Sequence, residues 1–279
     1  MTAIFSLTAA GEAAAALEAG KVLMLPDGGD FHLAPEEEHL RDPKLLGGKK
    51  NISMSPEGDL KNTSASNDDQ HLLAVMMGRF ADFAMDLVKT IAPNYSEHLT
   101  PGRTSFRPAA IAGRKSSPLK DDSRLHIDAF PTTPMAGRRI LRVFANVNAT
   151  EPRIWNVGEP FEAVAKRFLP KIKAKPESWH GLLAALHITK ARRTAYDDLM
   201  LGLHNRAKLD MSYQETCEKE RLVIPAGAVW LCYTDQVMHA ALSGQHALEQ
   251  TFYLPPDAMA DPSTTPLRIL ERLSGRNLI

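Results

Sequence analysis

Residues 124–130, RLHIDAF, set a histidine and an aspartate two positions apart in a segment that reads as a strand. Strand side chains alternate between faces, so His126 and Asp128 point the same way as Arg124, and Leu125, Ile127 and Ala129 point the other way. An imidazole and a carboxylate on one face are two ligands for a divalent metal. A bare His-x-Asp is also an ordinary cross-strand polar pair, so a metal reading requires a third ligand to converge on the same face.

The stretch QVMHAALSGQHALEQTF, residues 236–252, offers that ligand. A two-residue turn at Ser243-Gly244 sets His239 opposite Leu248 and Val237 opposite Gln250. Directly opposed residues share a face, so His239 and Gln250 are expected together, while His246 pairs with Ala241 and points away. His239 is the candidate third ligand, and His246 is a structural histidine.

Two histidines and one carboxylate, with the last histidine far downstream, form the facial triad of non-haem Fe(II) oxygenases. Such a triad leaves three iron positions open. A 2-oxoacid can chelate two and dioxygen the third, which yields an oxidant able to attack an unactivated carbon. A 2-oxoacid also needs a cation for its distal carboxylate, best met by the planar fork of arginine. No arginine or lysine lies between His239 and Arg268, and position 250 is glutamine. The strand RRILRVFANVN, residues 138–148, supplies a cation instead. Leu141, Val143, Ala145 and Val147 make an apolar face; Ile140, Arg142, Phe144, Asn146 and Asn148 make a mixed one that can line a cavity. Arg142 is therefore the expected cation, with Gln250 as a hydrogen-bond partner and Arg107 of RTSFRP as a weaker candidate. The competing reading pairs Arg142 with a structural carboxylate.

The surrounding elements must position these groups. Residues 9–19 are alanine-rich and read as helix, and the apolar run KVLMLP after Gly20 reads as strand. Residues 34–70 are polar and turn-rich, as expected of loop. Leu72, Leu73, Met76, Met77, Phe80, Phe83, Ala84, Leu87 and Val88 recur at helical period, and their methionines read as core. Short strands follow, then helix-like patterning at 160–206 with the bases Lys166, Arg167, Lys171, Lys173 and Lys175, then more strands. Helix first and many short strands later, without βαβ alternation, indicates α+β with an antiparallel barrel or jelly roll. The whole chain, 1–279, is expected to form a single domain with a helical insertion near 160–206.

The 279 residues are 44% hydrophobic and 24% charged, with 33 basic and 33 acidic side chains. A formal net charge of zero gives no bulk argument for nucleic acid. Two cysteines, Cys217 and Cys232, make no disulfide framework and suit a reducing compartment. The N-terminal twenty residues lack a basic region and carry Glu12 and Glu18 among their apolar residues, unlike a signal peptide or a membrane span. The expected location is cytoplasmic.

The stretches DDSRLHIDAFPTTPMAGRRILRVFANVN, RIWNVGEPF and YTDQVMHAALSGQHALEQTFYLP, with KKNIS near residue 50 and MLGLHNRAKLDMSYQ from Met200, resemble the Kdo hydroxylases. These are Fe(II)- and 2-oxoglutarate-dependent dioxygenases acting on 3-deoxy-D-manno-oct-2-ulosonic acid in lipopolysaccharide. The likeness spans roughly residues 20 to 255. It implies a double-stranded β-helix, the cupin-like jelly roll, with flanking helices. It also implies iron held by His126, Asp128 and His239, with 2-oxoglutarate and O2 as co-substrates. The implied partner is Kdo2-lipid A or a related Kdo glycolipid, hydroxylated at the third carbon of the outer Kdo. Arg103, Arg107, Arg114, Lys115, Lys120 and Arg124 precede the triad and suit an anionic substrate. The bases of the insertion read first as a solvated face and alternatively as a peripheral dock on the inner membrane. Trp155 and Trp230 are read as barrel core in preference to sugar-stacking walls. The rivals are a non-redox metal-dependent cupin acting on a sugar acid, a binding protein without turnover, and a dioxygenase with another substrate.

Overall fold

The computed structural model describes residues 4–6, 10–25, 31–113, 116–172 and 191–279. Its strands are β1 (Ile4–Ser6), β2 (Val22–Met24), β3 (Ile52–Met54), β4 (Leu60–Lys61), β5 (Thr100–Arg107), β6 (Arg139–Asn146), β7 (Arg153–Val157), β8 (Glu220–Ile224), β9 (Val229–Tyr233), β10 (His239–Ser243) and β11 (Ala247–Leu254). An eight-stranded sheet runs β1-β2-β9-β6-β11-β5-β3-β4, and a three-stranded sheet runs β10-β7-β8. All pairings are antiparallel except β1 with β2. The helices are α1 (Ala10–Glu18), α2 (Asn67–Ile91), α3 (Phe161–Phe168), α4 (Ala195–Leu209), α5 (Met211–Thr216) and α6 (Pro266–Ser274). This is the α+β jelly-roll architecture expected from the strand pattern.

The alternation along β6 decides how the layers stack. Leu141, Val143 and Ala145 are fully buried and join Leu231, Leu248, Phe252 and Leu254 under α2. Each such large aliphatic side chain contributes about 1.5–3 kcal/mol by leaving water. Helix α2 begins where Ser66 accepts from the Asp69 backbone N–H, and it buries Leu73, Met76, Met77, Phe80, Ala84 and Val88 on that sheet. Its methionines are core, as their period requires. The opposite side of β6 carries Arg142 and Phe144 toward the small sheet, where Phe144, Trp155, Trp230, Leu222 and Ile224 pack together. Helices α3, α4 and α6 cover the remaining side through Phe161, Phe168, Leu199, Leu203 and Leu270, packed with Leu125 and Ile127.

Three local expectations are corrected. Residues 34–70 are not bare loop: Ile52, Ser53 and Met54 pair with Phe106, Ser105 and Thr104 and extend the large sheet. Three-residue strands give too short an alternation to stand out in a polar stretch. Residues 124–130 are not a strand; a single bridge joins His126 to His239. Ser243-Gly244 does not close a hairpin, because β10 pairs with β7 while β11 pairs with β5 and β6. Between them the chain crosses from one sheet to the other, with Gly244 at φ +121° and His246 at φ +55°. A Cβ on Gly244 would sit 2.7 Å from the Arg153 side chain, so the crossing needs glycine both for its dihedral and for that approach. Finally, Lys173 and Lys175 of the basic insertion, with Arg114 and Lys115, lie outside the described residues. Lys166, Arg167 and Lys171 are paired with Glu162, Glu159 and Asp210, as a solvated face would be.

Cys217 and Cys232 are free and buried. Among the described residues no helix is long and apolar enough to cross a membrane.

Candidate metal centre and active site

His126 and His239 face each other across their bridge. The His126 N–H donates to the His239 carbonyl at 3.0 Å, and the His239 N–H donates back at 2.9 Å. Two residues on, the Asp128 N–H donates to the Thr234 carbonyl at 2.7 Å, which fixes the carboxylate beside the pair. The imidazole centroids are 4.5 Å apart, and His126 Nε2 lies 3.9 Å from Asp128 Oδ1. One donor atom from each of the three residues falls within 4.8 Å of the others.

The hydrogen bonds behind these rings decide which nitrogen is offered. His126 Nδ1 lies 2.7 Å from the Arg124 carbonyl, and His239 Nδ1 lies 2.8 Å from the Val237 carbonyl. A carbonyl only accepts, so Nδ1 carries the proton on each ring and Nε2 keeps its lone pair for a metal. Burial pushes both imidazoles toward the neutral form; for His126 the neighbouring His239 adds to that shift, and for His239 the Asp128 charge opposes it. Burial alone would raise the Asp128 carboxyl, yet Arg142 and the two histidines outweigh it and hold the group well below the usual carboxylate range. Asp128 Oδ2 is buried, with an ion-pair contact to Arg142 but no aligned hydrogen bond. Two neutral imidazoles and one carboxylate are the donor set that suits divalent iron.

A charged network continues from the triad. Arg142 bridges two carboxylates, with Nη2 at 3.2 Å from Asp128 Oδ2 and Nη1 at 2.9 Å from Glu249 Oε1. Arg107 holds the other oxygen of Glu249 at 2.9 Å. Burial opposes charge on both groups, but Asp128 and then Glu249 hold Arg142 more basic than usual, and Arg142 with Arg107 holds Glu249 more acidic. His126, Asp128, His239, Arg107, Arg142 and Glu249 all line one cavity of about 80 Å³. Arg153, Trp155, Phe144, Asp122 and Ile111 complete much of its wall. Trp155 stacks on the His239 ring at 5.3 Å, and its buried indole N–H has no hydrogen-bond partner.

The residues singled out from sequence divide accordingly. His126, Asp128, His239, Arg142 and Arg107 are brought together. Gln250 is not, and its expected place in the lumen is corrected. With β10 and β11 in different sheets, a shared hairpin register no longer relates His239 to position 250. Gln250 instead shares the α2 side of the large sheet with Leu248 and Phe252 and is bonded to Thr104. Its neighbour Glu249 takes the cavity side. The alternative that Arg142 pairs with carboxylates describes its present contacts. Trp155, read as core, walls the cavity, whereas Trp230 is fully buried on Phe144 at 5.0 Å. Arg153, Glu249 and Asp122 were missed. For Arg153 a signal existed, since in RIWNV it shares the strand face of Trp155.

Two packed antiparallel sheets with a two-histidine, one-carboxylate cluster on a cavity wall are the architecture of mononuclear non-haem iron oxygenases. Residues 4–277 match the family described as 3-deoxy-D-manno-oct-2-ulosonic acid (Kdo) hydroxylase, and the chain belongs to that family. Among solved structures it is similar to the apo Kdo hydroxylase KdoO, a non-haem Fe(II) α-ketoglutarate-dependent dioxygenase, with 39% identity and a TM-score of 0.95 over 99% of this chain and 97% of that one. The cobalt(II) complex of KdoO gives the same identity, coverage and TM-score. The KdoO complex with α-ketoglutarate and Fe(III) is 38% identical, with a TM-score of 0.94 over 99% and 97% of the two chains. A comparison with curated proteins finds no match.

Proposed function

We propose that this chain, working as one domain, is an Fe(II)- and 2-oxoglutarate-dependent dioxygenase that hydroxylates the third carbon of the outer Kdo of Kdo2-lipid A or a related Kdo glycolipid. The observation that carries the reading is the convergence of two unprotonated Nε2 atoms and the Asp128 carboxylate on one cavity wall, in a member of the Kdo hydroxylase family. His126, Asp128 and His239 would hold the iron. With 2-oxoglutarate and O2, iron supplies the oxidising power that turns a C–H of the sugar into C–OH while the oxoacid becomes succinate and CO2.

The chain's own groups do the rest. Arg142 steadies Asp128 from behind and, with Arg107, presents positive charge to the co-substrate's carboxylates. Phe144 and Trp155 exclude water from that end of the cavity, and the Trp155 N–H offers a donor to a bound oxygen atom. No histidine is needed as a general base. The test is succinate formation with Kdo2-lipid A, followed by mass spectrometry of the lipid, for wild type and His239→Ala. The expected result is one added oxygen on the outer Kdo, lost in the variant. Succinate without oxidised lipid would overturn the substrate, and no succinate from iron-loaded protein would favour the non-redox cupin.

A further inference from the structure

Six large apolar side chains are exposed among the described residues, and three of them, Leu119, Leu209 and Met211, lie in one neighbourhood at 41%, 52% and 49% exposure. Lys208 Nζ donates to the Leu119 carbonyl at 3.2 Å. Arg124 Nη1 donates to the Lys208 carbonyl at 2.8 Å and touches Met211 Sδ at 3.1 Å. The other three, Val75, Val223 and Ile279, sit on α2, on β8 and at the last residue. Apolar residues exposed singly are ordinary, whereas a group of them marks a contact surface.

The position of this group points to its occupant. Lys50 donates to the Lys120 carbonyl and pairs with Asp122 at 2.9 Å. Asp122 and Ile111 wall both the triad cavity and an outer cavity of about 160 Å³, which Lys50, Ser116 and Leu242 also line. The apolar group therefore lies next to Asp122, in the wall that the two cavities share. Its charge is asymmetric. The acids Asp121, Asp122 and Asp210 are each matched by Arg124, Lys50 and Lys171, which leaves the exposed bases Lys120, Arg206 and Lys219 against Glu215 and Glu218, an excess of one positive charge. Exposed apolar residues interleaved with bases are the composition that settles into the headgroup–acyl boundary of an anionic bilayer.

We propose that Leu119, Leu209 and Met211, with Lys120 and Arg206, form a docking surface that seats the mouth of the active site on an anionic lipid bilayer. The inference rests on the glycolipid substrate proposed above, whose acyl chains stay in the layer while its sugar enters the cavity.

The test is flotation with vesicles of phosphatidylglycerol and phosphatidylethanolamine that contain no Kdo lipid. It compares wild type, the triple variant Leu119→Ser, Leu209→Ser, Met211→Ser, and the control Val75→Ser. Wild type and control are expected to float, and the triple variant to partition about tenfold less, since three side chains lose their apolar contact. All three positions are exposed, so the melting temperature and iron-dependent 2-oxoglutarate binding should match wild type. Wild type that stays unbound, or a triple variant that floats equally, overturns the proposal. So does a wild-type dimer in light scattering that the triple variant converts to monomer, which would assign the surface to a second copy of the chain. Turnover of Kdo2-lipid A dispersed in detergent micelles separates the two readings. Vesicle binding without turnover supports the surface and removes the substrate; turnover without vesicle binding does the reverse.

Discussion

Replacing Glu249 with glutamine keeps its shape and removes its charge, which makes it the sharpest probe of the network beside the triad. The Glu249 side chain is 5% exposed, and its partners Arg142 and Arg107 are 12% and 25% exposed, so solvent screens these pairs little. Removing one partner of a buried pair costs about 3–5 kcal/mol because the other charge is stranded. Arg142 keeps Asp128 and Arg107 is the more open of the two, so the lower bound of about 3 kcal/mol is expected at pH 7. The pH dependence follows from the direction of the Glu249 shift. Its folded pKa is lowered below the ordinary 4.5 by Arg142 and Arg107 acting against burial. Its stabilisation is thus fully present above 4.5 and disappears as pH falls through the folded value. Urea unfolding of wild type and Glu249→Gln from pH 7 downward should show a gap of about 3 kcal/mol that narrows below pH 4.5. A gap under about 1 kcal/mol at pH 7, or one that stays constant through the acid range, would refute a buried two-arginine clamp.

Two further outcomes test the placement of individual residues. Gln250→Met should leave 2-oxoglutarate affinity unchanged within about twofold, because the side chain lies on the α2 face, while stability falls about 1–2 kcal/mol as Thr104 loses its partner; a large loss of affinity would return Gln250 to the cavity. His246 is half-buried with its pKa lowered to about 4, by burial first and Arg41 second. A depressed histidine binds more protons unfolded than folded, so its contribution is intact above pH 6.5 and lost as pH falls toward 4. After allowance for screening, that is about 1–2 kcal/mol. His246→Asn, which tolerates the left-handed backbone at φ +55°, should remove this acid sensitivity in urea titrations between pH 7 and 4.

The sequence disclosed what depends on local alternation and period. The two faces of 138–148 and the methionine-lined helix follow from side-chain geometry within one segment, whereas His126 and Asp128 come together although 124–130 forms only a single bridge, at His126. What it hid depends on which segments pair. Ser243-Gly244 satisfies every local requirement of a tight turn, yet the chain crosses between sheets there. That crossing moves position 250 out of the cavity and position 249 into it. The same reasoning put His239 beside His126 and Asp128, where it lies, for a reason that does not hold: its ring reaches His126 through a backbone bridge, not through a hairpin with β11. Arg153 does not stand out in the sequence because a lone arginine in a five-residue strand looks like surface until the fold buries it. Ile52, Ser53 and Met54 were invisible for a related reason, since a strand of three residues is defined by its neighbours β5 and β4 and hardly at all by its own pattern.

The central claim is that His126, Asp128 and His239 hold one iron. Its most direct test is an anaerobic Fe(II) titration with 2-oxoglutarate, followed by the visible charge-transfer absorption of the complex, for wild type, His126→Ala and His239→Ala. The account predicts saturation at one iron per chain in wild type and no charge-transfer absorption in either variant. Wild type that binds no iron, or a His239→Ala protein that saturates at the same ratio with the same spectrum, would contradict it.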